Sequence, residues 1–214
     1  MNAPLPTMPT VATIHVVDDD TLFRNSVARL LRASGYQAAI YESGQDFLTK
    51  LPFSEAGCIL LDLQMAGMDG FELQERLTKA DSVLPIIFLS AHGDIGAGVH
   101  AIKAGAEDFL PKPVSKEALL KCVDRALARN AEQRQQQGRL GAMRRLVATL
   151  TPREAEVFPM VVRGKLNKQI AHELGTTVRT IKAHRQALMA KLEVKSLAEA
   201  VSIAERLGML ADQA

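Results

Sequence analysis

Short apolar runs recur through the first half of the chain, at 14–17, 38–41, 58–61, 86–89 and 109–110, each bounded by polar or turn-forming residues. Aliphatic runs of this length without polar alternation predict strands buried on both faces, as in a parallel sheet. Between them the period changes. At 22–34 the apolar residues Leu22, Phe23, Val27, Leu30 and Leu31 recur with helical spacing, and Gly35 stands where a C-terminal cap belongs. Segments 44–51, 70–79, 96–104 and 115–129 follow the same logic. Five strands alternating with five helices predict a doubly wound parallel α/β domain over 12–129, with right-handed crossovers.

Past Arg129 the chain turns polar, through Glu132-Gln133-Arg134-Gln135-Gln136-Gln137-Gly138. That shift marks a linker over 130–147, helical in character, and a second domain over 148–214. Four helical patterns follow. Thr151 is placed to cap the first, with Pro152 at its first position and Glu154 completing a capping box. Pro159, inside that helix, removes an amide donor and predicts a kink. A second helix spans 167–174, Gly175 makes the tight turn, and Thr176-Thr177 caps a third helix running to Leu192. On this third helix Ile181, Leu188 and Leu192 share one side, while Arg179, Lys182, Ala183 and Gln186 fall largely opposite. A short helix with a polar, basic face after a tight turn is what a major-groove reader requires. The last helix, 197–207, lines up Leu197, Ala200, Val201, Ala204 and Leu207, a stripe suited either to the domain core or to a dimer face.

Charge sharpens this division. Up to Arg129 there are 12 basic and 16 acidic residues, a balance of −4; afterwards there are 14 and 8, a balance of +6. Only the second part suits a polyanionic partner. Cys58 and Cys122 stand far apart within apolar patterns, which predicts buried thiols in a reducing compartment. Residues 1–11 carry three prolines and no apolar stretch behind a positive charge, so a disordered tail is expected in place of a signal peptide. No apolar run approaches the ~20 residues of a membrane helix, and a cytoplasmic protein without membrane partners is expected.

The ends of the first, third and fifth strands hold the chemistry. Asp18 and Asp19 follow one strand and Asp62 follows another, so their like charges would crowd one cleft and call for a cation. One or two carboxylates, a carbonyl and waters, with positions left for phosphate oxygens, match the habit of Mg²⁺. Asp62 is then a nucleophile toward a phosphoryl group, Lys112 a point charge for its oxygens, and Ser90 a nearby hydroxyl.

These residues closely resemble the receiver domain of bacterial two-component response regulators. The resemblance is carried by Val17-Asp18-Asp19-Asp20, Leu61-Asp62-Leu63-Gln64-Met65, Gly67-Met68-Asp69-Gly70, Phe88-Leu89-Ser90-Ala91-His92-Gly93-Asp94, Ala101-Ile102-Lys103-Ala104-Gly105-Ala106 and Phe109-Leu110-Pro111-Lys112-Pro113. It implies a flavodoxin-like five-stranded fold and phosphoryl transfer from a sensor histidine kinase to Asp62. It also implies Mg²⁺ held by Asp18, Asp19, Asp62 and the Gln64 carbonyl, a Lys112–phosphate pair, Ser90 and Phe109 as a switch pair, and a cis Lys112-Pro113 peptide. One position departs: family members usually carry proline four residues after the acceptor, where this chain has Ala66. His92 is a loop histidine with no partner in view and stays outside the site.

The second domain is similar to the LuxR-type helix-turn-helix of NarL- and FixJ-like regulators, through Leu150-Thr151-Pro152-Arg153-Glu154, Asn167-Lys168-Gln169-Ile170-Ala171, Thr180-Ile181-Lys182-Ala183-His184-Arg185 and Lys191-Leu192. The resemblance puts Lys182, Ala183 and Gln186 toward base edges, and Lys168, Arg179, Thr180, His184 and Arg185 on phosphates or the groove wall. Together the halves imply a phosphorylation-activated transcription factor, not an enzyme with turnover, that dimerises on promoter DNA; RNA polymerase is a further candidate partner. An Asp-nucleophile phosphatase of the haloacid-dehalogenase kind needs Asp-x-Asp-x-Thr/Val, and Asp18-x-Asp20 runs straight into Thr21-Leu22, so the spacing fails. A regulator with a vestigial receiver is disfavoured by the intact acidic set.

Overall fold

A computed structural model describes residues 12–50, 56–91 and 95–210. The expectations for 1–11, Leu51 and His92 lie outside the described residues. The first half alternates β1 Thr13–Val17, α1 Thr21–Ala33, β2 Gln37–Tyr41, α2 Gly44–Lys50, β3 Gly57–Asp62, α3 Gly70–Lys79, β4 Ile86–Ser90, α4 Ile95–Lys103 and β5 Asp108–Pro111. It is followed by α5 Lys116–Ala148, α6 Pro152–Val162, α7 Asn167–Glu173, α8 Val178–Lys191 and α9 Leu197–Arg206.

The five strands pair in parallel in the order β2-β1-β3-β4-β5. The central strand β3 is buried along its whole length, as its unbroken apolar run requires. Side chains alternate between two cores. Ile14, Val16, Cys58, Leu60, Ile87 and Leu89 pack with Val27 and Leu31 of α1 and Leu119 and Val123 of α5. On the other side Val17, Ile59, Leu61 and Phe88 pack with Phe47 of α2, Leu73 and Leu77 of α3 and Ala101 of α4. The chain leaves β1 toward β2 on one side and returns to β3 on the other, so the crevice between the β1 and β3 carboxyl ends is the sheet's switch point, where such folds bind ligands.

The helix expected to stop at Arg129 continues to Ala148 as one 33-residue element. Its polar middle is rich in Gln, Arg and Ala, strong helix formers that carry the helix on without an apolar stripe, and two glycines at about 1 kcal/mol each do not break it. Asn130 belongs to the first unit, since its side chain accepts from Gly57 N at 3.1 Å and donates to Val83 O at 2.8 Å. Packing accordingly divides the chain after Arg134.

In the second unit Val157, Phe158, Ile170, Ile181, Leu188 and Ala204 form the core, with Met143, Leu146 and Val147 from the end of α5 packed on it. The capping box forms: Thr151 Oγ1 accepts from Glu154 N at 3.4 Å, and Glu154 accepts from Thr151 N at 2.8 Å. Glu154 also takes Lys191 Nζ at 2.6 Å, and that bond holds its carboxyl below the usual range. The box thus ties the start of α6 to the end of α8. Pro159 does not end α6, which runs on to Val162.

Candidate functional site

Asp18 and Asp19 follow the last residue of β1, and Asp62 is the last residue of β3. Because the strands are parallel and Val17 pairs with Leu61, these acids arrive side by side. One carboxylate oxygen from each of the three lies within 4.8 Å of those of the other two. Asp18 is fully buried and Asp62 is 7% exposed, while Asp19 faces solvent. Lys112, just past β5, reaches in: its Nζ stands 2.7 Å from Asp18 Oδ2 and 3.1 Å from Asp62 Oδ1. Burial, and then the Asp18 charge, push the Asp62 carboxyl above its ordinary range; the Lys112 ammonium and the Gln64 backbone amide pull the other way. Among the described residues Lys112 is the one cation paired with these carboxylates, a single ammonium against three acids, which leaves the site short of positive charge. The donor set is all hard oxygen, two buried acids and one exposed, and fits Mg²⁺ with coordination positions left open to solvent.

Each neighbour of the acids is built by local sequence. Asp20, the third acid of the run, caps α1 by accepting from Leu22 N at 2.8 Å and Phe23 N at 3.1 Å, and so is spent on structure. Its own amide donates to Asp18 Oδ1 at 2.9 Å. Arg24, buried in α1, donates to the Asp18 backbone carbonyl, anchoring the turn that carries both acids. Gly70 admits no side chain, since a Cβ there would sit 2.6 Å from Asp62 O and 2.8 Å from the Phe88 ring. At the departure from the receiver pattern, Ala66 N donates to Asp19 Oδ2 at 3.0 Å. Proline has no N–H and could not make this bond, so alanine trades backbone restriction for a direct tether on the exposed acid.

Ser90 ends β4, one residue past the register partner of Asp62, and is buried; its carbonyl accepts from Lys112 N at 2.7 Å. Phe109 lies on β5 opposite Phe88, half-buried against the core beneath α3 and α4, with Gly98 of α4 facing its ring. The Lys112-Pro113 peptide is cis. A cavity of about 520 Å³ opens beside the acids, lined by Asp19, Gln64, Met65, Ala66, Asp69 and Phe71. Gln64, whose backbone carbonyl was expected as a ligand, therefore stands beside Asp62 at the cavity wall.

In the second unit α7 and α8 meet at the turn containing Gly175 (φ 60°). Thr177 caps α8 by accepting from Thr180 N at 3.1 Å. Lys168, Arg179, Lys182, Ala183 and Gln186 are exposed, and Thr180, His184 and Arg185 are half-buried. Arg185 donates to Asn167 Oδ1 at 3.0 Å, a bond that ties α8 to the start of α7. Ile181 and Leu188 are fully buried, so the opposite face of α8 is free to present its basic residues.

Reasoning from sequence missed Phe23 and Arg24 as supports of the acid pocket. The helical period marked Phe23 only as an apolar position of α1, and nothing in the pattern distinguished Arg24 from a solvated arginine.

An acid pocket with an embedded ammonium at the sheet's switch point, followed by a helix-turn-helix with one basic face exposed, defines a signal-receiving domain coupled to a nucleic-acid reader. Comparison with known proteins agrees. The response regulator receiver domain matches residues 14–124, and the luxR family of bacterial regulatory proteins matches 148–204. The response regulator TodT of Pseudomonas putida is 38% identical over 196 residues, covering 92% of this chain and 86% of the relative. The transcriptional regulatory protein FixJ of Bradyrhizobium diazoefficiens is 36% identical over 205 residues, covering 96% of this chain and all of FixJ. The solved structure of response regulator StyR superposes with a TM-score of 0.80 at 43% identity, covering 91% of this chain and 98% of StyR. The chain belongs to the two-component response regulators that join a receiver domain to a LuxR-type helix-turn-helix, in the NarL/FixJ family, and it is a DNA-binding regulator of transcription. Among the described residues no helix is long and apolar enough to cross a membrane.

Proposed function

We propose that this regulator is switched by a phosphoryl group accepted on Asp62 from a sensor histidine kinase, and that the phosphorylated chain dimerises on promoter DNA in the cytoplasm. The observation that carries the reading is the Lys112 ammonium lodged between Asp18 and Asp62 in a pocket that remains short of positive charge. Asp18, Asp19, Asp62 and the Gln64 carbonyl would hold Mg²⁺, which when bound offsets the charge of the acids and of the incoming phosphoryl oxygens. The raised Asp62 carboxyl keeps its electron pair more basic, Lys112 receives the phosphoryl oxygens as a point charge, and Ser90, buried at the end of the neighbouring strand β4, supplies a hydroxyl. The transfer is stoichiometric: the chain carries the group and does not turn it over.

Ser90 and Phe109, on neighbouring strands, pass the change to α4. There Ile95, Val99 and Ile102 are 82%, 49% and 48% exposed. They border a cavity of about 650 Å³ shared with Phe109, Lys103 and Asp108. A second copy of the chain suits this face, since a two-fold axis would cover the exposed aliphatic residues of both copies. On DNA, Lys182, Ala183 and Gln186 face bases, and Lys168, Arg179, Thr180, His184 and Arg185 face the backbone, with half-sites about one helical turn apart. RNA polymerase is a partner at such a promoter.

The test is analytical ultracentrifugation and promoter titration of the full chain with acetyl phosphate and Mg²⁺. Wild type is expected to shift toward dimer and bind more tightly, and Asp62→Asn to do neither. Equal behaviour of the two proteins would contradict the reading.

A further inference from the structure

We propose that Phe23 is a positioning residue for Lys112, holding its ammonium at the acid pocket through a contact that metal binding leaves intact. The inference rests on the phosphoacceptor reading of Asp62. Lys112 Nζ lies 4.2 Å from the centroid of the Phe23 ring, within the range of a cation–π attraction. The ammonium thus has three anchors: Asp18 Oδ2 at 2.7 Å, Asp62 Oδ1 at 3.1 Å and the ring.

The first two anchors are the carboxylates that a divalent ion would use. A dication competes for them with twice the charge of the ammonium, so they weaken as attachments for Lys112 when the site is loaded. The aromatic face offers a diffuse quadrupole and no lone pair for a hard cation, so it holds the ammonium whether or not metal is present. Without it the four-carbon lysine stem would regain its rotamer freedom at the moment the phosphoryl oxygens need a fixed charge.

The ring is itself held in place. Phe23 sits in the first turn of α1, its amide capped by Asp20 at 3.1 Å, and its side chain packs half-buried on the core beneath α1 and α5. The turn that carries Asp18 and Asp19 therefore also sets the brace for Lys112, which follows a strand three positions away in the sheet.

The test compares full-length wild type, Phe23→Leu and Phe23→Tyr in two readouts. In NMR spectra the Lys112 Hε protons of wild type and Phe23→Tyr are expected to be displaced upfield by the ring, with that displacement absent in Phe23→Leu. At saturating Mg²⁺ the initial rate of phosphoryl uptake from acetyl phosphate is expected to fall about three- to tenfold in Phe23→Leu, the scale of a partly dehydrated cation–π contact, and to stay within about twofold in Phe23→Tyr. Phe23→Met replaces the leucine variant if that protein does not fold. Lys112 shifts that are unchanged in Phe23→Leu, or a Phe23→Leu rate equal to wild type, would overturn the positioning role alone. A wild-type chain that takes up no phosphoryl group would overturn the Asp62 reading and this inference with it.

Discussion

The two halves of this regulator place charge in opposite ways. The receiver gathers three acids and a lysine from the ends of β1, β3 and β5, far apart in sequence, into a pocket where Asp18 is fully buried and Asp62 nearly so. The helix-turn-helix spreads its cations along the exposed face of one short helix and buries only its aliphatic side. In the first, low dielectric makes each charge felt by its neighbours and by whatever enters, so the site can store and report a chemical change. In the second, charges stay in water, where they attract a polyanion at long range and cost little while waiting.

Separate cores predict separable stability, and removing one large side chain from each sharpens the contrast most. Phe88→Ala and Phe158→Ala each empty a fully buried site, at a cost of about 3–5 kcal/mol. Followed by proteolysis and calorimetry, Phe88→Ala is expected to expose residues up to Arg134 to cleavage while the basal promoter affinity, measured without acetyl phosphate, persists, and Phe158→Ala to do the reverse. A single transition lost as a whole in both variants would refute independent units.

A smaller effect distinguishes the receiver by pH. His15 on β1 is 1% exposed, bonded to Tyr41 Oη at 3.0 Å, and burial lowers its pKa from 6.5 to about 4. The folded chain keeps it neutral while the unfolded chain protonates below pH 6.5. Its contribution is therefore complete above that value and is lost as pH falls from 6.5 to about 4, up to about 3 kcal/mol in all. Denaturant titrations across this window are expected to show that His15→Phe flattens the decline relative to wild type. Parallel pH curves would contradict the assignment. In the other half, Lys182→Ala is expected to weaken promoter binding by about 1–3 kcal/mol, read by fluorescence anisotropy, if Lys182 touches a base edge. A loss uniform across sequences with a shallower salt slope would move it to a phosphate. The smallest expected change is in metal-free Asp62→Asn. Because the Asp62 carboxyl is raised, its ionised form is disfavoured by the fold above that pKa, so the neutral variant should melt at a higher temperature than wild type at pH 7.

The contrast also explains what the sequence made legible. Asp18, Asp19, Asp62 and Lys112 could be grouped because parallel strands deliver their carboxyl ends to one edge, so strand order sufficed. The exposed basic face of α8 followed from its 3.6-residue period, with Ile181 and Leu188 buried as the period requires. Contacts that depend on the angle between elements stayed hidden: Phe23 beneath Lys112, Arg24 on the Asp18 carbonyl, and Arg185 on Asn167. So did the tether from Ala66 to Asp19, since the departure at Ala66 showed only what proline would have restricted. The linker was expected to be helical, but its continuity with the preceding helix as one α5 was not, because the polar middle lacks an apolar stripe to link the two while intrinsic propensity carries the helix through.

The most direct test of the central claim is peptide mapping by mass spectrometry after the full chain is incubated with acetyl phosphate, with and without Mg²⁺. One phosphoryl group per chain, located on Asp62, formed only with the metal and absent from Asp62→Asn, is the predicted result. Label on another residue, or equal label in Asp62→Asn, would contradict it.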